Sequence, residues 1–442
     1  MKKILRMFVS CITLSTTVMP VIAHATDWYI SPNGNDSDAG TRASPLASIM
    51  AAQERASSGD TVYLRGGTYR LATANITVAG VTNAIVNNIT KDGITYESYK
   101  NEKPIFDFSN VIPTDRRVVA FRVVSDNNVF RGFEVIGVRI TITGRLTQSE
   151  AFRVEGGSGN LFEALAIHDG MAIGWYLVSG SNNRVHNVDA YNNKGLDKFS
   201  YGNIDGFGVH PKLKSDTGNV IEGCRAWFNS DDGFDLIGAW AAVTLKNNWA
   251  FNNGRDRVLP TKLGDGNGFK AGGYGSNGSN YPRPVPRHMI RSNLAVNNKA
   301  NGFYANHQVG GQDWINNTAI RNARANYDML STLPDNATDV PGYDHNLVNN
   351  VGFDGRVEIA NLGKSSENNI GKNSFSIPLR LTANDFVSLD QSQLERPRQA
   401  NGDLPKITFG TPSIGSAMIN AGSDAGGAYN GSAPDLGAFE SP

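Results

Sequence analysis

Most of the chain alternates apolar and polar residues over short stretches, broken by Asn and Gly, with little helical period. Residues 185–193, 220–229, 243–253 and 289–298 share one plan: a short strand, a polar break, a second short strand, then Asn. Weaker copies lie at 127–138, 159–169, 313–322 and 345–353. A second motif recurs as Asp205-Gly206-Phe207-Gly208, Asp232-Gly233-Phe234-Asp235, Asn267-Gly268-Phe269-Lys270, Asn301-Gly302-Phe303-Tyr304 and Ala325-Asn326-Tyr327-Asp328. Its aromatics are 27, 35, 34 and 24 residues apart, which suits one solenoid coil with or without a loop insertion.

Short strands at this spacing predict an all-β fold, a right-handed single-stranded parallel β-helix, whose coils lie about 4.8 Å apart. Equivalent positions then stack. Phe207, Phe234, Phe269, Phe303 and Tyr327 become an interior aromatic stack, and Asn193, Asn229, Asn253, Asn298 and Asn322 an asparagine ladder that satisfies buried turn amides. The ends depart from the repeat. A cap is expected over about 26–70, with a helix near 45–56 that covers the open end of the solenoid. A tail over about 385–442 should pack along the helix or over its far end. No linker divides 26–442, which reads as one domain.

Residues 1–25 read as an export signal: Lys2, Lys3 and Arg6, an apolar stretch, then Ala23-His24-Ala25 as the cleavage site. The stretch is too short to span a membrane, and no later run is long enough. A secreted protein, extracellular or periplasmic, is expected. Lys+Arg and Asp+Glu are both 41; loss of three cations with the signal leaves 38 basic against 41 acidic residues. That balance argues against nucleic-acid binding. An apolar share of 40% is enough for a core. Of Cys11 and Cys224 only the second remains after the signal, so no internal disulfide can form. A monomer is expected.

Acidic residues converge at one place. Asp231, Asp232 and Asp235 fall within five residues, and Asp205 occupies the position of Asp232 one coil earlier. Stacked carboxylates repel unless compensated, and a hard cation such as Ca²⁺ compensates them, with Asn203 as the nearest amide. If each Phe points inward, Asp235 and Lys270 sit side by side on the outer wall. They could equally form a plain surface ion pair. Paired carboxylates could also serve a hydrolase, and the Asn-Ile-Asp-Gly and Asp-Asp elements are faintly similar to polygalacturonases. Neither Gly-His-Gly nor Arg-Ile-Lys, which that family would supply, is present.

The runs Asn203-Ile204-Asp205-Gly206-Phe207-Gly208, Asn229-Ser230-Asp231-Asp232-Gly233-Phe234-Asp235 and Gly266-Asn267-Gly268-Phe269-Lys270-Ala271-Gly272-Gly273 resemble family 9 of the polysaccharide lyases, the pectate lyases. The opening 28–36 and the run 59–69 are similar to the start of many β-helix polysaccharide enzymes. The resemblance implies ten or so coils, calcium bound through Asp205, Asp231, Asp232 and Asp235, and Lys270 as the base. The implied reaction is β-elimination on polygalacturonate, needing calcium and alkaline pH. Rhamnogalacturonan is an alternative substrate. A non-catalytic adhesin or carbohydrate-binding β-helix is a further alternative, with the acids as a structural calcium site. Arg255, Arg257, Lys262, Arg287, Arg291, Lys299 and Arg321 are candidate groove cations; His210 and His307 read as structural.

Overall fold

The computed structural model describes residues 25–144, 147–258, 263–275, 278 and 280–441. The expected export signal thus lies outside the described residues except for Ala25. Nearly all strands are parallel and form three long faces of twelve, ten and eleven strands. The chain visits the faces in turn. One coil, for example, runs Arg184–His186, Asp189–Tyr191 and Phe207–Val209, and the next runs Asn219–Glu222, Arg225–Trp227 and Phe234–Asp235. The first face starts at Asp27–Ile30 and ends at Asn369–Ile370.

Strands of only two to four residues suffice because each backbone pairs with the coils above and below. The corner between first and second faces is two residues long. Its first residue is left-handed at Asn187, Gly223, Asn247, Ser292, Asn316 and Asn349, with φ between 53° and 67°. Asn and Gly tolerate that region best, which explains the polar break in each repeat.

The interior is built as expected. Phe207, Phe234, Phe269, Phe303 and Tyr327 stack nearly parallel, at successive centroid distances of 4.8, 4.8, 4.9 and 5.1 Å. Asn193 donates to Asn229, Asn229 to Asn253, Asn253 to Asn298 and Asn298 to Asn322, at 3.0–3.1 Å, and Asn322 donates to Asn326 at 2.9 Å. The other two corners carry buried ladders as well. One links Asn248, Asn293, Asn317, Asn350 and Asn373. The other links Asn160, Asn183 and Asn219 and then continues through His288, Gln312, His345 and Asn368.

The helix Ile49–Arg55 lies within the expected range and is capped by Ser48, whose hydroxyl accepts from the Ala51 N–H at 3.1 Å. Ile49 and Ala52 join the core, while the Gln53 amide donates to Asn88 O and accepts from the Thr90 N–H. The helix thereby protects the backbone of Asn83–Ile89, the first parallel strand of the third face. The tail runs along the second face. Phe386, Leu394, Leu404, Phe409, Met418 and Leu436 bury against Trp227, Phe251, Val296, Ile320 and Val351. A buried charge triad pins it: Asp189 accepts from Arg225 and from Arg398, each at 2.6 Å.

Candidate active site

The third face positions the site. Its inward column is the aromatic stack; the outward column one residue on runs Arg122, Arg153, Tyr176, Gly208, Asp235, Lys270, Tyr304 and Asp328, in register. Asp235 and Lys270 are therefore adjacent on neighbouring rungs, as the period of two requires. Lys270 Nζ lies 3.1 Å from Asp235 Oδ2 and 3.2 Å from Asp232 Oδ2.

Asp205 and Asp232 precede Gly206 and Gly233, where the chain bends into the third face. A Cβ at Gly206 would lie 2.7 Å from Ala226 Cβ and 2.8 Å from Gly233 O, so glycine is required there. The bend turns both carboxylates toward Lys270. Asp205, Asp232 and Asp235 each present an oxygen, and the three oxygens lie within 4.8 Å of one another. Asp232 Oδ1 accepts from the Asn267 N–H at 2.6 Å and from Asn267 Nδ2 at 2.9 Å. Asp205 Oδ1 accepts from the Asp232 N–H at 3.1 Å, and Asp235 Oδ1 from the Ile237 N–H at 2.7 Å. Asp231 is buried beside this trio; its Oδ1 accepts from the Asp265 N–H at 2.6 Å. The Asn203 amide donates instead to Phe199 O.

Burial, then repulsion from Asp231, Asp235 and Asp232, holds the Asp205 carboxyl well above the usual carboxylate range. Asp231 is raised in the same way, by burial and then by Asp232. Asp232 is pushed up to about 6 by burial, against the opposing pull of Lys270. Burial alone would lower the Lys270 amine. The carboxylates of Asp235, Asp232, Asp231 and Asp205 outweigh it and hold the amine well above its ordinary value. A single ammonium thus faces four carboxyl groups.

The flanking residues divide. His210 Nε2 is buried without a hydrogen-bond partner among the described residues, 3.9 Å from Asp235 Oδ1, and its ring packs edge-on against Tyr176 at 5.2 Å. Burial drives it down to about 4, so it is neutral. His307 pairs with Asp339 at 2.6 Å. The candidate groove cations, where described, bond to the tail, to neighbouring coils or to loop backbone. Arg257, Arg291 and Arg321 reach the tail at Glu395, Ala425 O and Leu389 O. Arg287 pairs with Asp313, and Arg255 donates to Asn297 O. Lys299 bonds the backbone of Leu263 and Gly264, in the turn that carries Asp265 beside Asp231. Lys262 lies outside the described residues. Two further groups affect the cluster: Asp265, which repels Asp231 and Asp232, and Lys212, which senses Asp235. Neither belongs to the Asp/Asn-Gly-aromatic motif: Asp265 lies two residues before Asn267 and Lys212 three residues past the strand Phe207–Val209.

The architecture is that of a parallel β-helix whose outer wall presents an amine among converging acids. Residues 28–350 match the family described as "Pel9A-like, right handed beta helix region". The chain is 36% identical over 423 residues to Pectate lyase L of Dickeya dadantii (strain 3937), an alignment covering 93% of this chain and 90% of that protein. Among solved structures, a rhamnogalacturonan lyase matches with a TM-score of 0.83 and 41% identity, covering 88% of this chain and 97% of that one. Pectate lyase Pel9A matches with a TM-score of 0.75 and 34% identity, covering 95% and 97%. The chain belongs to the Pel9A-like right-handed β-helix family, the family 9 pectate lyases, and is a polysaccharide lyase.

Proposed function

We propose that the enzyme cleaves polygalacturonate by calcium-dependent β-elimination, with Lys270 as the base and Asp205, Asp231, Asp232 and Asp235 as the calcium-binding acids. One observation carries this reading: a buried amine 3.1 and 3.2 Å from two carboxylates of a three-acid cluster on the outer wall. The donor set fits the ion. It consists of hard carboxylate oxygens, and among the described residues the buried Asp232 Oδ2 has no hydrogen-bond partner beyond its 3.2 Å ion pair with Lys270. When bound, Ca²⁺ would neutralise the substrate carboxylate and stabilise the charge that develops beside it.

The chain's own residues do the rest. Lys270 Nζ takes the proton from C5, α to the C6 carboxylate. The C5–H electron pair forms the C4=C5 double bond. The C4–O bond breaks and the glycosidic oxygen leaves with its electrons, taking a proton from water. Lys270 serves as a base only when neutral, and the surrounding carboxylates favour the ammonium. Compensation of those carboxylates and an alkaline medium both favour the free amine. Asp235 fixes the direction of Nζ, and the neutral His210 packs behind Asp235.

The pectate lyase relative supports polygalacturonate as substrate. A second reading, a backbone of alternating rhamnose and galacturonate, is favoured by the rhamnogalacturonan lyase neighbour at 41% identity. The bond chemistry is the same in both. The basic, apolar, Ala23-His24-Ala25 opening supports export, and a single domain acting as a monomer completes the reading. Incubation with polygalacturonate, with and without chelator, tests it. A lyase generates ultraviolet absorbance from the new C=C bond, and chelator should abolish it. Reducing ends without absorbance would mean a hydrolase; neither signal on polygalacturonate, with absorbance from the alternating backbone, would favour the second reading.

A further inference from the structure

We propose that a cavity beside Lys270 is a subsite for one uncharged pyranose ring of the substrate, read through its hydroxyl groups; this rests on the lyase reading above. The cavity, about 280 Å³, is built from residues that follow the outward column on successive rungs. Ile237 comes two residues after Asp235, Tyr274 four after Lys270, and Asn306 and His307 two and three after Tyr304. Its walls are tied to the site through the backbone. The Ile237 N–H donates to Asp235 Oδ1 at 2.7 Å, the Gly238 N–H to Gly273 O at 2.7 Å, and Asn306 Nδ2 to Gly272 O at 2.7 Å. The volume is at the small end for ligand pockets and suits a single sugar ring.

The cavity is preformed. The Tyr274 ring stacks on Tyr281 at 5.5 Å and both are buried; the Tyr281 hydroxyl donates to Pro334 O at 2.9 Å. Asn306 and His307 are consecutive non-glycine residues, each with φ of 55°. Strain of this kind is kept where the surroundings fix it, commonly at functional sites.

The lining selects the ligand. No Lys or Arg lines the cavity among the described residues, and its one potential cation, His307, is already paired with Asp339 at 2.6 Å. A uronate carboxylate would face Asp339 with no spare positive charge. A hydroxyl both donates and accepts, which suits a carboxylate rim with the Asn306 and Asn336 amides beside an aromatic wall. The cavity therefore favours a backbone that carries a neutral sugar close to the galacturonate that is cleaved, the second of the two substrates above, over polygalacturonate.

The test uses the full chain and two probes, oligosaccharides of polygalacturonate and of alternating rhamnose and galacturonate. Ala337→Trp plugs the exposed mouth of the cavity, and Asp339→Ala removes the acceptor. Initial rates of absorbing product give KM and kcat. Both variants should raise KM for the alternating oligosaccharide about tenfold, the equivalent of one strong hydrogen bond, whereas Asp339→Ala, which removes the repulsion toward a uronate, should not raise KM for polygalacturonate. Equal changes on both probes, no change on either, or a parent enzyme that cleaves polygalacturonate alone would overturn the subsite. Lys270→Ala separates the two readings. If it is inactive while Ala337→Trp is neutral, only the subsite fails. If it is active, the lyase reading fails instead.

Discussion

Lys270→Met separates the two roles assigned to this amine, because methionine keeps most of the volume and removes the charge. Nζ faces carboxylate oxygens at 3.1 and 3.2 Å, each contact worth about 5 kcal/mol before desolvation at an effective dielectric of ~20. Desolvation offsets most of that. Removing one partner of such a buried pair typically costs about 3–5 kcal/mol, since the other charge is left without compensation. In chelator at pH 8, above the value of about 6 for Asp232, the variant should lose about that much unfolding free energy, measured by denaturant titration. Saturating calcium should shrink the difference to under about 1 kcal/mol, because the ion replaces the lost counter-charge and binds only the folded cluster. Under those conditions the fold is intact and turnover reports the base alone. It should drop by about 10²–10⁴, the usual share of a positioned proton acceptor, read from ultraviolet absorbance of the product. Parent-like turnover in saturating calcium would refute the base. Parent-like stability in chelator would refute the counter-ion role.

Asn253→Ala removes a residue that donates to Asn298 Oδ1 and Ala226 O and accepts from both amides of Asn229, all buried. Unfolding free energy should fall by about 2–5 kcal/mol, and a loss under about 0.5 would deny the ladder its structural weight. His288 and His345 are driven by burial to about 4 and about 3, so they stay neutral in the fold while the unfolded chain takes up protons below about 6.5. Their stabilising contribution is complete above pH 6.5 and is lost as pH falls toward the folded values, at about 1.4 kcal/mol per pH unit for each. Denaturation between pH 7.5 and 4.5 should show this slope, and His345→Gln, which copies Gln312 one rung earlier in that ladder, should reduce it; an unchanged slope would clear His345 of the effect.

How far the site could be read from sequence depended on where each residue lies in the repeat. Asp235 and Lys270 follow an inward Phe, and a period of two left no choice about their side or adjacency. Asp205 and Asp232 lie before the Gly206 and Gly233 bends, where backbone direction depends on contacts with Ala226 and the next coil, so parity could not place them. The two unexpected ladders were hidden by substitution. Histidine and glutamine stand in for asparagine at His288, Gln312 and His345, and Cys224 interrupts the other corner, its backbone N–H donating to Asn248. The candidate groove cations could not be sorted from ordinary surface charge for a different reason. Arg257, Arg291 and Arg321 are claimed by the tail, which has no repeat and hence no readable register.

The acid cluster is a local change in the scaffold's own device. Residues before the Gly-Phe step form a column: Asp205, Asp232, Asn267, Asn301. Asn301 donates to Asn267 Oδ1 at 3.0 Å and Asn267 donates to Asp232 Oδ1 at 2.9 Å, as in the other ladders. From Asp232 toward Asp205 the amide is replaced by carboxylate, and the column loses its side-chain donors while keeping its oxygens stacked. The one remaining link is the Asp232 N–H to Asp205 Oδ1 at 3.1 Å. An amide ladder is neutral and self-satisfied. Its acid version is charged and short of donors, and positive charge must take the place of the missing N–H groups. Lys270, one rung further along, supplies part of it at 3.2 Å from Asp232. Four carboxyl groups against one ammonium leave the rest of the compensation to protonation, toward which burial and mutual repulsion push Asp205 and Asp231, or to the cation proposed above. Acids in place of amides at two positions of an otherwise structural column, with Asp231 and Asp235 beside them, thus replace a self-satisfied ladder by a cluster short of donors that holds a lysine beside it.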